Sequence, residues 1–246
     1  MKQYLYETHL HTSPVSRCAG ASVRESLEFY KQLGYDGVFI TNHFIDGNIN
    51  YRRDLPYAEK INFYFSDYEE GVQIGKELGI KVFCGVETSY FDGIDFLVYG
   101  LDKEWFLAHE EITSMKQSEK LKFMADAGAL IIHAHPFREA GYIDHIHLFP
   151  RHVHGVETYN ACRTEFENAM ADNYAKCYDL IPFAGSDNHV AGKLKHLGGM
   201  CSDAPIQDEY DFIQKAKSGV LEIFKMDTQG NEIYQIFLLK GSYLYV

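Results

Sequence analysis

Glu7-Thr8-His9-Leu10-His11 stands near the start of the chain, and Gly185-Ser186-Asp187-Asn188-His189 stands near its other end. In a β-strand, residues i and i+2 point to the same side. His9 and His11 therefore face together, and so do Asp187 and His189. Each pair follows apolar or small residues, where a strand would end. A chain that builds this geometry at both ends predicts a barrel or wound sheet closed around a metal centre, and hence a hydrolase.

The segments between repeat the pattern. Gly37-Val38-Phe39-Ile40 reads as a strand that ends at Thr41-Asn42-His43, and residues 80–86 as one that ends at Glu87. Ala129-Leu130-Ile131-Ile132 leads to His133-Ala134-His135-Pro136, and Pro182-Phe183-Ala184 leads to Asp187. Further strands are expected at residues 4–6, 96–99 and 155–159. Ser22 with Glu25 is a capping box opening a helix to Leu33, with Gly34 as its stop. Helical patterns follow at residues 66–78, 114–127, 165–178 and 208–217, and residues 220–246 read as strands with a turn at Gln229-Gly230-Asn231.

This alternation predicts an α/β chain with a mainly parallel sheet. Histidine or acid follows the C-terminal end of strand after strand, where (β/α) barrels carry their active sites. A strand count near seven favours a barrel over an open sheet. No linker or internal repeat interrupts the chain, so residues 1–246 read as a single domain.

Composition bounds the chemistry. The 246 residues suffice for one large core, and 46% hydrophobic with 24% charged residues is ordinary for a globular protein. A net charge of −12 argues against long nucleic acid as a partner, which needs a basic footprint. No run is long and apolar enough for a membrane span, and the N-terminus does not read as a signal peptide, so the cytoplasm is the expected compartment. Five scattered cysteines fit reduced thiols, and twelve histidines are the more informative excess.

The candidate metal ligands are His9, His11, His43, Glu87, His135, Asp187 and His189, with Cys18 and Asp95 behind them. Imidazole with carboxylate suits Zn, Mn or Fe, and two or three ions sharing such groups hold a phosphate ester and activate water. His133 shares a strand face with His135, which admits it as a ligand. His109, His145, His147, His152, His154 and His196 read as surface or core histidines.

The chain resembles the PHP (polymerase and histidinol phosphatase) metal-dependent phosphoesterases. The resemblance spans nearly the whole chain and rests on five motifs in family order: His9-Leu10-His11-Thr12, Thr41-Asn42-His43, Gly85-Val86-Glu87, Ala134-His135-Pro136 and Gly185-Ser186-Asp187-Asn188-His189. It implies a distorted (β/α)7 barrel with a trinuclear site, and for His133 a supporting role more than a ligand's. It further implies one metal on His9, His11, Glu87 and Asp187, and a second on Glu87 and His135 with a ligand near Asp95. A third would lie on His43 and His189 with a ligand from the loop after His11. Three departures stand out. Asn42 replaces the usual acid, Cys18 is the strongest ligand type in the loop after His11, and Asp95, with Asp92 as a rival, stands where a histidine is common.

Arg17, Arg138 and Arg163 lie near these motifs, and arginine forks suit phosphate oxygens. They are the expected substrate ligands. Attack is expected from a metal-activated hydroxide, with Glu87 bridging ions and Asp187 or His189 moving protons. The substrate is expected to be a small phosphate mono- or diester, of the histidinol phosphate or nucleotide kind. Two alternatives remain: a metal-dependent amidohydrolase, disfavoured because no lysine stands at a strand end, and a metal-stabilised regulatory module without turnover.

Overall fold

Nine strands hydrogen-bond into one sheet in the computed structural model, which describes residues 3–51, 54–91, 93–229 and 231. They are β1 (Tyr4–Leu10), β2 (Gly37–Ile40), β3 (Lys81–Ser89), β4 (Asp95–Tyr99), β5 (Leu130–Ala134), β6 (Gly155–Asn160), β7 (Ile181–Gly185), β8 (His196–Ser202) and β9 (Glu222–Asp227). Their order is β7-β6-β5-β4-β3-β2-β1-β8-β9. The helices are α1 (Val23–Gln32), α2 (Tyr57–Leu78), α3 (Lys103–Ala108), α4 (Gln117–Asp126), α5 (Glu165–Tyr178) and α6 (Glu209–Ser218).

The sheet curls until its β7 side meets β1. Leu10 bridges Asn188 in parallel, the Thr8 hydroxyl donates to the Ala184 carbonyl, and the Ser186 N–H donates to Glu7 Oε1 at 2.9 Å. Gly185 permits this approach, because a Cβ there would lie 2.5 Å from the Cβ of His9. The result is a nearly closed barrel of nine strands, in which β8 pairs with β1 and its Gly198 also exchanges hydrogen bonds with Ser186 just past β7.

The expectation of a mainly parallel sheet needs correction. β1, β2 and β3 pair in parallel, as do β5, β6 and β7. β4 runs antiparallel to both its neighbours, and β8 is antiparallel to β1 and to β9. The reason is local. Only five residues join β3 to β4, too few for the crossover that a parallel pair requires.

Alternation along the strands decides what fills the barrel. Phe39, Phe83, Leu97, Tyr99, Ile132 and Phe183 form one buried cluster with Phe212 of α6, which plugs the end of the barrel away from the histidines. Each such aromatic or aliphatic side chain contributes roughly 1.5–3 kcal/mol on burial. Outside the barrel, three further clusters bury the inner faces of the helices.

The capping box at Ser22 and Glu25 is formed, and α5 opens with another at Thr164 and Glu167. α2 starts at Tyr57, nine residues earlier than the pattern at 66–78 suggests. Ile61, Tyr64 and Phe65 bury the face of this extra stretch at i, i+3 and i+4 spacing. β8 was not anticipated, because its glycines and histidine mask it. Of the strands expected over 220–246, β9 is seen; the expected turn at Gly230 and residues 232–246 lie outside the described residues. No helix among the described residues is long and apolar enough to cross a membrane.

Candidate metal centre

The ends of β1, β2, β3, β5 and β7 converge, and the candidate ligands converge with them. His9 lies in β1, Glu87 in β3 and Asp95 at the start of β4; His11, His43, His135, Asp187 and His189 follow the ends of β1, β2, β5 and β7. Glu87 is central. Its Oε1 lies 3.2 Å from His9 Nε2 and 3.4 Å from His135 Nε2; its Oε2 lies 3.4 Å from His11 Nε2 and 2.6 Å from His43 Nδ1. Asp187 Oδ1 lies 3.5 Å from the Nε2 atoms of both His9 and His11, and also 3.5 Å from His189 Nδ1. His135 Nε2 is 3.9 Å from Asp95 Oδ2.

These atoms fit a metal better than they fit each other. Both Glu87 oxygens are buried, yet neither accepts a hydrogen bond of proper geometry, and His43 Nδ1, close as it is to Glu87, makes none either. His9 Nε2 and His11 Nε2 stand 3.1 Å apart, both beside the same carboxylates. Three groups of ligand atoms each lie within 4.8 Å of one another: His9, His11 and Asp187; His9, Glu87 and His135; and His11, His43 and His189. Buried polar atoms left open in this way are costly unless a ligand completes them. The backbone carries strain here as well. His135 and Asp187 have φ of 26° and 52°, the left-handed region that non-glycine residues avoid.

The charges are tightly coupled. Burial raises the Glu87 carboxyl, but His43, His11 and His9 together hold it well below the usual carboxylate range. Burial lowers His11, and His189 and His43 push it down further. Burial also disfavours charge on His9, but Glu157, Asp187 and Glu87 lift it well above the usual value. Asp95 is raised to about 6 by burial and by Glu87, against the opposing pull of His135 and His43.

Behind the ligands lies a polar network that sequence reasoning missed. Glu157 of β6 is fully buried, and its Oε1 accepts from His9 Nδ1 at 2.9 Å. Its Oε2 accepts from the His135 N–H and from Asn160 Nδ2. This fixes the His9 tautomer with its Nε2 lone pair toward the centre. On the other side, Ser16 Oγ donates to Asn42 Oδ1 at 2.7 Å, so it accepts from His11 Nδ1 at 3.1 Å and frees His11 Nε2 in the same way. Asn42 itself takes the Thr12 N–H on Oδ1 and donates through Nδ2 to Thr12 Oγ1 and Asp67 Oδ2. The Asn42 amide thus faces an acid supplied by α2. An acid inside the predicted strand at Glu157 was a usable signal; nothing local marks Asp67.

A cavity of about 730 Å³ opens over the centre. Cys18 lines it beside His43 and His189. Burial raises its thiol, but hydrogen bonds to His189 and His43 prevail and bring it down to about 6. Arg138 and Arg163 also line it; Arg138 Nη1 is 3.8 Å from Asp95 Oδ2, and Arg163 Nη1 is 3.9 Å from Glu167 Oε1. Arg17 does not line it: its side chain is exposed, and its N–H donates to the Asn48 carbonyl in the loop after β2. Asp46, Gly47 and Asn48 border the cavity, whereas residues 145–154 do not. His133 lies on the outer face of β5, its ring stacked on Phe96 at 4.8 Å, and belongs to none of the three groups. The positive φ at His135 breaks the strand alternation that would have put the two rings together. Asp92 lies outside the described residues.

No model of a known protein family matches the chain, and no curated protein matches it. Solved structures do. A two-domain protein from Bacteroides vulgatus ATCC 8482 containing a predicted PHP-like metal-dependent phosphoesterase superposes with a TM-score of 0.66 at 15% identity, over 92% of this chain. A Bifidobacterium adolescentis ATCC 15703 protein described as a metal-dependent phosphoesterase gives 0.51 at 14% identity, over 76% of this chain and 88% of its own. The fold is that of the PHP-like metal-dependent phosphoesterases. This chain spans 65% of the length of the Bacteroides protein. The barrel also superposes on a structure of a different description. A Chromobacterium violaceum amidohydrolase with bound sulfate and no metal matches with a TM-score of 0.53 at 12% identity, over 91% of this chain and 98% of its own.

Proposed function

We propose that the chain is a metal-dependent phosphoesterase that hydrolyses a small phosphate mono- or diester. One observation carries the reading. The two buried oxygens of Glu87 accept no hydrogen bond of proper geometry although four imidazoles crowd them, and two arginines stand on the wall of the cavity above. His9, His11, Glu87 and Asp187 would hold one ion, and Glu87, His135 and Asp95 a second. His43, His189 and Cys18 would hold a third. Bound divalent ions, Zn, Mn or Fe, supply Lewis acidity toward phosphoryl oxygens and lower the pKa of water.

The chain's own residues do the rest. Arg138 and Arg163 fork the phosphate oxygens and orient the ester. Glu157 and Ser16 keep His9 and His11 in one tautomer. Asp187 takes the proton from the attacking water; His189 shares this task when it holds no ion. The net charge of −12 supports a small substrate over long nucleic acid. The five cysteines, all free, support a cytoplasmic setting, and residues 1–246 are taken to act as one domain.

The Chromobacterium neighbour gives C–N hydrolysis a place as the second reading. The described lining of the cavity over the centre contains no lysine, which favours the ester. Turnover of p-nitrophenyl phosphate, its bis ester and p-nitroacetanilide, with Mn, Zn or Fe restored to stripped protein, separates the readings. Ester cleavage is the expected result. Amide cleavage alone would move the chain to the second reading, and metal binding without any turnover would make it a regulatory module.

A further inference from the structure

The ladder between β1 and β2 is irregular where β1 delivers its ligands. The register shifts between Glu7 and Leu10, and three successive N–H groups turn to side chains. The Leu10 N–H donates to Thr41 Oγ1 at 3.0 Å. The Thr8 and His9 N–H groups both donate to Glu7 Oε1, at 3.0 and 2.9 Å. The same oxygen takes a third N–H from across the seam, that of Ser186 at 2.9 Å. Glu7 Oε2 accepts no hydrogen bond of proper geometry. The residue is fully buried and belongs to none of the three ligand groups.

One oxygen thus ties together two segments that each carry a ligand. His9 itself is one. Ser186 directly precedes Asp187, whose backbone stands at φ 52°. Across the seam, Asp187 Oδ1 lies 3.5 Å from His9 Nε2. An irregularity in a strand re-aims a side chain, but the buried N–H groups it frees must find acceptors. A strained φ likewise persists only where its surroundings fix it. Glu7 Oε1 meets both needs at once.

We propose that Glu7 is a positioning residue of the metal centre, setting through one oxygen the spacing of His9 and Asp187 across the seam. The inference rests on the reading of that centre as a metal site. Because only one oxygen is used, the amide oxygen of glutamine suffices. Aspartate keeps the acid but draws the oxygen back by one carbon–carbon bond, away from the Ser186 N–H. Thr8 supplies a control, since its hydroxyl closes the same seam by donating to the Ala184 carbonyl.

Cobalt(II) titrated into stripped protein, followed by its visible absorption, tests the role without any turnover. Glu7→Asp should weaken binding at least about tenfold and alter the absorption of the bound ion, while Glu7→Gln stays within about threefold of the parent. Thr8→Val should lower the urea midpoint but keep the parent's affinity and absorption. Parent-like affinity in folded Glu7→Asp, a glutamine variant no better than the aspartate one, or an equal loss in Thr8→Val would overturn the role. If Glu7→Asp does not fold, amide exchange in Glu7→Gln decides. Affinity and protection of the His9 and Ser186 N–H groups should then match the parent together or fall together. Affinity that falls with both amides protected, or persists with them open, overturns the role. Cobalt uptake without turnover of any ester would sink the phosphoesterase reading alone and leave the role to the affinities. A parent protein that takes up no cobalt would sink the metal centre and the role of Glu7 together.

Discussion

The polar groups behind the metal centre and those in front of it are equally buried but differently finished. Behind, Glu157 spends one oxygen on His9 Nδ1 and the other on the His135 N–H and Asn160. Asn42 uses both its oxygen and its nitrogen on Thr12, Ser16 and Asp67. In front, both oxygens of Glu87 and Nδ1 of His43 are left without a hydrogen bond. The chain completes its own bonding where a side chain positions another, and leaves it open where a ligand is to sit. Unpaired atoms that converge are therefore a better sign of function than burial or charge alone.

The harshest way to break this comparison is to alter the open side. Glu87→Gln keeps the shape but removes the shared charge. Bound metal should fall, measured by elemental analysis, and turnover should drop about a thousandfold. Full metal content with normal turnover would mean that the open carboxylate holds nothing.

The closed side should answer in stability. Burial raises the Asp67 carboxyl above its usual value, although Thr12, the Val15 N–H and Asn42 pull it back. Asn42→Asp replaces a donor with a second carboxylate against Asp67 and should cost about 3 kcal/mol in urea unfolding. Adding Asp67→Asn restores one amide and one acid with their places exchanged, and most of the loss should return. A double variant no more stable than Asn42→Asp would show that the two residues do not act as a pair.

A milder test joins the two sides. Glu157→Gln leaves the open cluster intact but weakens the hold on the His9 tautomer. Metal affinity by calorimetry should fall about 10–100-fold with the fold retained. An unchanged affinity would reduce Glu157 to packing.

The open side was legible in the sequence to a degree that the closed side was not. His9, His11, Glu87, His135, Asp187 and His189 sit at or just beyond strand ends, so local pattern and chain order suffice to gather them. Asp67 acts through contacts 25 and 55 residues away in the chain, and Ser16, five residues from His11, is oriented by Asn42 26 residues away; no local period records such contacts. The antiparallel β4 was hidden because a strand's pattern does not record its direction. The outward turn of His133 was hidden because the rule of two assumes regular backbone, and φ at His135 departs from it. Arg17 shows the limit from the other side: nearness to a motif in sequence did not bring its side chain to the cavity.

His133 sharpens the comparison, because its Nδ1 is buried and unpaired yet does not line the cavity. It packs on Phe96 and lies near the rings of Phe149 and Tyr174. An open atom among hydrocarbon, with nothing converging on it, should act on stability alone. Burial first, and then His135, push this imidazole from 6.5 down to about 3. The unfolded chain takes up the proton as pH falls through the higher value, while the folded chain resists it until the lower one. Between the two, protons favour the unfolded state, so stability is lost as pH falls. At pH 5 the loss from this one residue is about 2 kcal/mol. Urea unfolding at pH 7 and pH 5 should therefore show a smaller drop for His133→Leu than for the parent chain, with metal content unchanged. Equal drops would show that His133 charges freely in the fold. A loss of metal in the variant would put it among the ligands after all.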